Sequence, residues 1–428
     1  MVDVQEEFER ATAYSITDED IERAKLLLGV ETADPRAEHL TEATEDAIRN
    51  FAHGYGDDNP LYCDPDYARE TRWAGQIAPP LILTSLNAPL LGDPIDPELK
   101  KRTKSLFKGI HAFVSAGDWE WFRPIYPGDR IYTFGGQESV EVKRSEFAGR
   151  SVLRTLRRVH FNQRAQVVAI VRILMIYAER KTAKDKGKYS GIEPTRYTEK
   201  ELAAIDEIYA AERARGGETR YWEDVQVGEP LPKMVKGPLT VTDLICFHSG
   251  GYGFTPYAPS ASRLAYKNRI RIPAFYVPNA QGVPDTAQRV HWDAEWAKAI
   301  GNPMPYDYGA LRETYLGHLV TDWMGDEAWL FTQHDEVRRF NYIGDTQFLT
   351  GEVTGKRAEG SSHYVMIEMR ATNQRGEVTA PGRATVLLPS REHGPVVLPD
   401  PPEEAQRTAV RMLERHGELL RTKRGGRS

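Results

Sequence analysis

The sequence is poor in cysteine and has no long uninterrupted hydrophobic run. Its 428 residues include two cysteines, Cys63 and Cys246, which excludes a disulfide framework and leaves no Cys-x-x-Cys pair for zinc. The best apolar run, Val167 to Ala178, is interrupted by Arg172 and is too short to cross a bilayer. The N-terminal Met-Val-Asp-Val-Gln-Glu-Glu has neither the basic nor the apolar region of a secretory signal. We therefore expect a reduced, cytoplasmic protein that has no membrane partner.

An excess of positive charge is also absent. Lys and Arg total 56 against 62 for Asp and Glu, a formal net charge of −6, which argues against nucleic acid as a partner. The sequence has no P-loop, and no Gly-x-Gly-x-x-Gly follows a predicted strand, so no nucleotide cofactor is expected. It also lacks the His-x-x-His and His-Glu-x-x-His spacings, and we predict no metal. With 40% hydrophobic and 28% charged residues, the chain is typical of a globular protein of two domains.

What the sequence does contain is the same order of segments in two halves. At one constant offset, Asp64 falls on Asp293 and Pro80 falls on Gly309. Further on, the turn that ends at Asp129 matches the turn that ends at Asp345, and Asn162-Gln-Arg matches Asn373-Gln-Arg. Several matches in the same order indicate an internal duplication.

The hydrophobic pattern of each half predicts two helices followed by a series of strands. The apolar helices are predicted over Leu81 to Leu91 and Ala310 to Trp323. Alternating or apolar segments predict the strands, which are Asp129 to Phe134, Ser151 to His160, Val167 to Tyr177, Gln347 to Val353, Tyr364 to Arg370 and Arg383 to Leu388. One helix followed by antiparallel strands predicts an α+β fold in which a sheet wraps a helix. We expect a first domain over 1–195, a linker helix over 196–217, a second domain over 218–392 and a charged C-terminal tail over 393–428.

The segment from Asp57 to Asp64, Asp-Asp-Asn-Pro-Leu-Tyr-Cys-Asp, carries the chemistry of the first half. It resembles the Gly-Asp-x-Asn-Pro-x-His-x-Asp motif of the MaoC-like (R)-specific enoyl-CoA hydratases and dehydratases. The Ile77-Ala-Pro-Pro80 that follows resembles the fatty-acid-synthase-type dehydratase variant of that family. The resemblance implies a double hotdog fold, with two antiparallel sheets that each wrap a long central helix. It also implies a homodimer or larger homo-oligomer.

The activity implied by the resemblance is a hydro-lyase reaction. Water is added to a 2-enoyl thioester, or removed from the 3-hydroxyacyl thioester, by an Asp and a His. A glycine N–H at the start of the hotdog helix polarises the thioester carbonyl, where negative charge develops in the transition state. The substrate brings its own CoA or phosphopantetheine arm, so no further cofactor is implied.

Residue by residue, the first half departs from the family pattern. Asp57 matches the motif's Asp, but Tyr62 stands at the His position and Pro80 at the position of the oxyanion glycine. Proline has no N–H to donate. We therefore predict that the first half is not catalytic and that Asp57 and Tyr62 contribute to substrate binding. Asp57 is equally well explained as a turn residue.

The second half keeps the groups that the first half lacks. His291 stands at the His position and Gly309 at the oxyanion position. Thr286 occupies the family's Asp position, so neighbouring Asp285 is our candidate for the carboxylate partner of His291, with Asp307 as its rival. We predict His291, Asp285 and Gly309 as catalytic residues. The substrate-binding candidates of this half are Tyr306, Asp307, Tyr308 and Arg339.

Other interpretations of these residues are also possible from the sequence. Gly309 is also a common residue at a helix start, and His248 and His318 lie on predicted apolar helices, where a core histidine is the default. The missing Asp before His291 favours a second hypothesis, a subunit that binds acyl thioesters without catalysis. A third hypothesis keeps the hotdog fold but hydrolyses the thioester.

Overall fold

The computed structural model describes residues 15–34, 39–108, 110–145, 149–178, 192–253 and 262–425. The helices of the first half are α1 (Asp18–Lys25), α2 (Glu45–Gly54), α3 (Pro60–Cys63), α4 (Pro65–Arg69) and α5 (Pro97–Arg102). Its strands are β1 (Thr32–Ala33), β2 (His111–Trp121), β3 (Tyr132–Ser145), β4 (Gly149–Phe161) and β5 (Val167–Ala178). A linker helix, α6 (Glu199–Ala211), leads to the second half.

The second half repeats this order with insertions. Its strands are β6 (Met234–Lys236), β7 (Tyr276–Pro278), β8 (Pro284–Thr286), β9 (Trp329–Glu336), β10 (Gln347–Glu359), β11 (Ser362–Asn373) and β12 (Val378–Leu387). Its helices are α7 (Val241–Ser249), α8 (Arg263–Arg271), α9 (Ala294–Ala299) and α10 (Gly309–Met324), and α11 (Glu403–Gly425) forms the C-terminal tail. Short 3-10 turns lie at Pro80–Thr84, Trp222–Asp224, Pro273–Phe275 and Ala287–His291.

The two halves join into one antiparallel sheet of ten strands, in the order β1-β3-β4-β5-β2-β9-β12-β11-β10-β6. The junction is the pairing of β2 with β9, in which Ala116 lies opposite Glu336 and Glu120 opposite Thr332. Trp329 secures the junction because its indole N–H donates to the carbonyl of Trp121 across a distance of 2.8 Å. The expected double hotdog fold is confirmed, with its two sheets continuous at this edge.

Among the residues that the structure describes, a long central helix is present in the second half and not in the first. Helix α10 is buried around most of its circumference, from Leu311 to Met324. The helix predicted over Leu81 to Leu91 is wrong, because the chain makes only the 3-10 turn Pro80–Thr84 there. Asn87 and Ala88 instead donate their N–H groups to Leu40 and Ile131, and Pro89 cannot donate at all.

The core spans both halves. Trp73 of the first half packs on Trp329 of the second, with ring centroids 5.6 Å apart. The tail helix α11 covers a separate aromatic cluster of the first half, with Ala405 and Ala409 buried against it. No helix among the described residues is both long and apolar enough to cross a membrane.

Two glycines allow α2 of the first half to touch α7 of the second. A Cβ atom on Gly250, which caps α7, would lie 2.6 Å from the carbonyl oxygen of Asn50 and 2.9 Å from Cα of Gly54. Both neighbours are backbone atoms of α2, so they cannot move without shifting the helix. The backbones of the two halves are therefore in direct contact here, two residues after His248.

We predict that Gly250→Ala lowers the free energy of unfolding by about 1–3 kcal/mol, the range found for overpacking a close contact. Urea denaturation followed by circular dichroism measures the change. Gly75→Ala is the matched control, because no heavy atom lies within 4 Å of its added Cβ, and it should change stability by less than about 0.5 kcal/mol. Equal stability of the two variants would contradict the close packing of α2 on α7.

Candidate active site

His291 is the last residue of the 3-10 turn Ala287–His291, which follows the β7–β8 hairpin. Only 8% of its surface is exposed. Its Nδ1 lies 2.7 Å from the carbonyl oxygen of Tyr306, and a carbonyl can only accept a hydrogen bond. Nδ1 therefore carries the proton, and the neutral ring offers the lone pair of Nε2 as a base.

The surroundings of His291 favour this neutral form. Burial lowers the pKa of His291 to about 4, and the carbonyl groups of Tyr306 and Asp307 offset only part of this effect. The ring packs on Tyr308 with a centroid separation of 4.0 Å and on Tyr306 with one of 4.9 Å. His291 is thus an uncharged proton acceptor held between two tyrosines.

Tyr308 connects His291 to a second histidine. Its hydroxyl lies 2.9 Å from Nε2 of His248, while Nδ1 of His248 lies 2.8 Å from the carbonyl oxygen of Tyr252. Since that carbonyl fixes the proton of His248 on Nδ1, Nε2 accepts a hydrogen bond from the Tyr308 hydroxyl. Burial lowers the pKa of His248 as well. His248, predicted as a core histidine, therefore lies in the same cluster as His291.

The first half reaches this cluster through His39. Nε2 of His39 lies 2.7 Å from the carbonyl oxygen of Gly251, in the turn that follows α7. Gly251 has a φ of 107°, a left-handed conformation that strongly favours glycine. No sequence pattern indicates this contact, because it joins two residues far apart in the chain.

Gly309 is the first residue of α10, and Tyr308 is the N-cap. Tyr308 provides no side-chain cap for the N–H groups of the first turn, one of which, that of Leu311, donates to the Tyr308 carbonyl across 3.0 Å. The positive end of the helix dipole and these N–H groups together favour a negatively charged oxygen. A Cβ atom on Gly309 would lie 3.3 Å from Cγ2 of Val337, which is tight but not prohibitive.

Asp307 lies beside Gly309 in the sequence, but its carboxylate faces Arg312. Nε of Arg312 lies 2.9 Å from Oδ2 of Asp307, and Nδ2 of Asn341 donates to the same oxygen across 2.9 Å. Burial raises the pKa of Asp307 to about 6, against the opposing effects of Arg312 and Asn341. The carboxylate therefore belongs to a buried ion pair that fixes the start of α10.

Asp285 and Arg339 do not join the cluster. Oδ1 of Asp285 accepts a hydrogen bond from the N–H of Thr286 across 2.7 Å, and in the described part of the chain no carboxylate pairs with the ring of His291. Arg339 is half-exposed and pairs with Glu377, at 3.1 Å. The structure therefore brings together His291, Tyr306, Tyr308 and Gly309 of the predicted residues in this half.

Glu313, which the sequence analysis missed, follows Gly309 by about one helical turn. Its Oε1 accepts a hydrogen bond of 2.7 Å from the indole N–H of Trp119, and its carboxyl group also bonds to Asp335. Burial raises the pKa of Glu313 to about 7 and that of Asp335 well above its ordinary value. The pair therefore tends to hold protons rather than present two negative charges beneath the helix start.

In the first half, Tyr62 and Pro80 stand at the positions that match His291 and Gly309, and neither supplies the same chemical group. Tyr62 is buried and hydrogen-bonds to Thr321, and Pro80 begins the 3-10 turn while its carbonyl accepts from the indole of Trp121 across 3.0 Å. An apolar pocket opens between these residues and the end of α10. None of the described residues that line this pocket is a histidine, and Pro80 has no N–H group to donate.

Asp57 is buried at the boundary between the two halves. Its Oδ2 accepts a hydrogen bond of 2.7 Å from the Tyr55 hydroxyl, and its Oδ1 accepts one of 2.9 Å from the N–H of Asn59. Oδ1 also lies 3.4 Å from Nε2 of His318. Asp57 therefore combines the predicted turn role with a contact to the central helix of the other half.

Comparison with known proteins places these observations in a family. The family profile described as "FAS1-like, dehydratase domain region" matches residues 28–171. A UPF0336 protein of Streptomyces coelicolor is 30% identical over 120 residues, which are 28% of this chain and 73% of that protein. A protein of Thermomonospora curvata, named probable enoyl-CoA hydratase alpha subunit, is 28% identical over 155 residues, 34% of this chain. The match covers 49% of that relative, so the chain spans about half of its length.

Solved structures show the same architecture across most of the chain. A structure titled "MaoC-like dehydratase" superposes with a TM-score of 0.55 at 16% sequence identity, over 85% of this chain and 99% of that one. The likeness therefore includes both halves and their junction. Because the chain is 30% identical to the UPF0336 protein of Streptomyces coelicolor and covers 73% of it, it belongs to the UPF0336 family; its first half matches the FAS1-like dehydratase region, and its fold is that of the MaoC-like dehydratase structure.

Proposed function

We propose that the chain is a hydratase or dehydratase of acyl thioesters and that the second half carries out the reaction. It would add water to a 2-enoyl thioester or remove it from the 3-hydroxyacyl thioester. The observation that carries this proposal is the position of the neutral His291 ring on Tyr308, the residue that directly precedes the uncapped first turn of α10. A proton acceptor and an anion-stabilising group thus lie next to each other.

The proton transfers need only one imidazole. In the hydration direction, Nε2 of His291 takes a proton from water as the oxygen bonds to C3 of the enoyl group. The C2=C3 electron pair shifts to form an enolate on the thioester. The imidazolium then returns the proton to C2, so that one water is added and His291 is neutral again. Since burial disfavours the imidazolium, the proton is held only briefly.

The enolate oxygen is the group that α10 stabilises. We propose that the N–H of Gly309 donates to this oxygen, where charge is greater in the transition state than in the substrate. The nearby Glu313–Asp335 pair has raised pKa values. This limits the negative charge that would otherwise oppose the enolate.

Tyr308 and His248 act by positioning. The hydrogen bond between them holds the Tyr308 ring against His291, and the Tyr306 carbonyl holds the other edge of the imidazole. In this proposal the carbonyl of Tyr306 orients the base, and Asp285 is not required as its partner. Tyr306 and Tyr308 also line the place where the thioester is proposed to bind.

The first half is proposed to support the fold and the acyl pocket without catalysis. Tyr62 and Pro80 replace the two groups that the second half supplies as His291 and Gly309. The relative named as an enoyl-CoA hydratase alpha subunit is consistent with such a division between similar units. We propose that the substrate's CoA or phosphopantetheine arm is the only cofactor of the reaction, and that the protein acts in the cytoplasm as a homo-oligomer.

We expect His291→Ala to lower the turnover number by about 100-fold or more, the usual loss on removing a general base. Hydration of crotonyl-CoA and of longer or aromatic enoyl-CoA thioesters is followed by loss of absorbance at the enoyl band. His53→Gln, at the exposed end of α2, serves as the control and should keep wild-type activity. Wild-type turnover in His291→Ala would refute the assignment, and saturable binding of every thioester without an absorbance change would instead favour a binding subunit.

Two substitutions of Gly309 distinguish the effect of losing its N–H from the effect of adding a side chain. Proline is well tolerated at the first position of a helix, and Tyr308 already has the extended conformation, ψ 139°, that a following proline requires. Gly309→Pro should therefore keep the fold but lower the turnover number by about 100- to 1000-fold. Gly309→Ala adds the same Cβ but keeps the N–H, and it should lose less than about tenfold. Equal losses in the two variants would exclude the N–H as the oxyanion donor.

The pH dependence of hydration should show the lowered pKa of His291. The base works only when neutral, so with a pKa of about 4 we expect kcat/KM to stay constant from pH 7 to about pH 5 and to fall only near pH 4. An ordinary histidine would give a limb near pH 6.5. The unfolded chain binds this proton at higher pH than the native one, so stability also declines as pH falls from about 6.5 towards 4. Circular dichroism at each pH distinguishes unfolding from titration, and a limb near 6.5 in folded protein would contradict the mechanism.

A further inference from the structure

A second cluster of ionisable groups lies further along α10. His318 and Asp322 are one turn apart on the helix, and Asp57 approaches them from the first half. Nε2 of His318 is 3.4 Å from Oδ1 of Asp57 and 3.3 Å from Oδ2 of Asp322. One ligand atom from each residue lies within 4.8 Å of the other two. The side chains of His318 and Asp57 are 2% and 0% exposed, and that of Asp322 is 10% exposed.

The cluster has unused acceptor atoms. Oδ1 of Asp322 and Oε2 of Glu212 are buried and have no hydrogen-bond partner among the described residues. Glu212 lies at the end of the linker helix α6, and its other oxygen is 4.0 Å from Nε2 of His318. Buried carboxylate oxygens without a partner cost free energy, so their presence together points to a bound group that would satisfy them.

The charges of the cluster do not balance. Asp57, Asp322 and Glu212 supply three carboxylates, whereas Lys236, 2.9 Å from Oε1 of Glu212, is the one ammonium group within contact distance among the residues that the structure describes. With His318 neutral, the cluster has two more negative than positive charges. Burying such an excess is costly unless a counter-charge accompanies it. A divalent cation would cancel the excess completely, whereas a single proton on His318 would cancel half of it.

The distances within the cluster also suit a metal. Four ligands at about 2.1 Å around a tetrahedral ion lie about 3.4 Å from one another, close to the separations of His318 from the two aspartates. An imidazole with carboxylates is a ligand set for first-row divalent ions such as Zn²⁺ and Mn²⁺. The hydrogen bonds from Tyr55 and Asn59 would hold the Asp57 carboxylate in place, as outer contacts commonly do for metal ligands.

From this juxtaposition we propose a binding site for a first-row divalent cation, with ligands from Asp57, His318 and Asp322 and with Glu212 as a fourth group within reach. His318 follows Gly309 on α10 by about 13 Å along the axis, at about 1.5 Å per residue. The ion would therefore take no part in the reaction proposed at His291. It would instead link the loop of the first half to the central helix of the second.

The test uses the full chain without an affinity tag, because a histidine tag itself binds zinc. The metal content is measured by mass spectrometry after purification without chelator, and Zn²⁺, Mn²⁺ and Mg²⁺ are titrated into chelator-treated protein by calorimetry. We expect about one equivalent of Zn²⁺ or Mn²⁺ per chain, with weaker binding of Mg²⁺, which prefers oxygen ligands. Chelation should lower the melting temperature because the ion binds the folded state.

Asp322→Asn and Asp57→Asn each keep the size of the side chain but remove one anionic ligand. Each should weaken binding by about 100-fold, and Asp322, at the edge of the cluster, is the variant expected to fold most readily. His334→Gln is the matched control, because His334 also pairs with an aspartate, Asp118 at 2.6 Å, but on the sheet outside the cluster. Folded wild-type protein that binds neither Zn²⁺ nor Mn²⁺ would overturn the proposal. Unchanged affinity in both folded aspartate variants would also overturn it.

Discussion

Burial of α10 between the two halves is the constraint on which the rest of the structure depends. The helix carries Arg312, Glu313 and His318 into surroundings where an unpaired polar group costs about 1–3 kcal/mol or more. Each of them is paired with a residue from another segment. Arg312 pairs with Asp307, Glu313 bonds to Trp119 of the first half, and His318 contacts Asp57. Glu313 and His318 thus connect this helix of the second half to the first half.

The same burial makes the two halves unequal. A helix enclosed by protein can offer the N–H groups of its first turn to a ligand only if they lack other partners, and Gly309 begins α10 without a side-chain cap. At the matching position Pro80 has no N–H, and the chain leaves the helical conformation after Thr84. The first half does not need a second long helix to fill its core, because Trp121, Trp329 and their neighbours already fill it. One copy therefore keeps a helix that begins with an N–H group, and the other completes the enclosure of that helix.

The sequence predicted β4, β5 and β10 to β12 and the first three residues of β3, but it missed the short strands β1 and β6 to β8 and the two strands, β2 and β9, that join the halves. Strands β3 to β5 and β10 to β12 have strong alternation or apolar runs, and each was expected in whole or in part. In β2, Gly117 and Asp118 interrupt the pattern, and β9 ends in the charged residues Asp335 and Glu336. These residues have low strand propensity. They lie in strands because β2 and β9 pair with each other and because Asp335 bonds to Glu313, which are long-range contacts that no local pattern contains.

The candidate site divides in a similar way. His291 and Gly309 were predicted by matching positions along the chain, first between the two halves and then with the family motif. Such a match needs no knowledge of which residues are close in space. His39, His248 and Glu313 join the site only through packing between segments, so spacing gave no signal for them. Asp285 was predicted because it lies one residue from the family's Asp position. In the structure its carboxylate accepts a hydrogen bond from the N–H of Thr286 instead.

A comparison of two buried histidines, His291 and His318, shows that position in the fold and not residue type decides the chemistry. His291 has carbonyl and aromatic neighbours, so burial dominates and lowers its pKa. Burial acts on His318 in the same direction, but Asp57 and Asp322 outweigh it and raise the pKa of that ring. A carboxylate beside His291 would oppose the effect of burial and raise its pKa in the same way. In the described part of the chain His291 has carbonyl and aromatic neighbours and no paired carboxylate, whereas the carboxylates at His318 create a site that attracts positive charge.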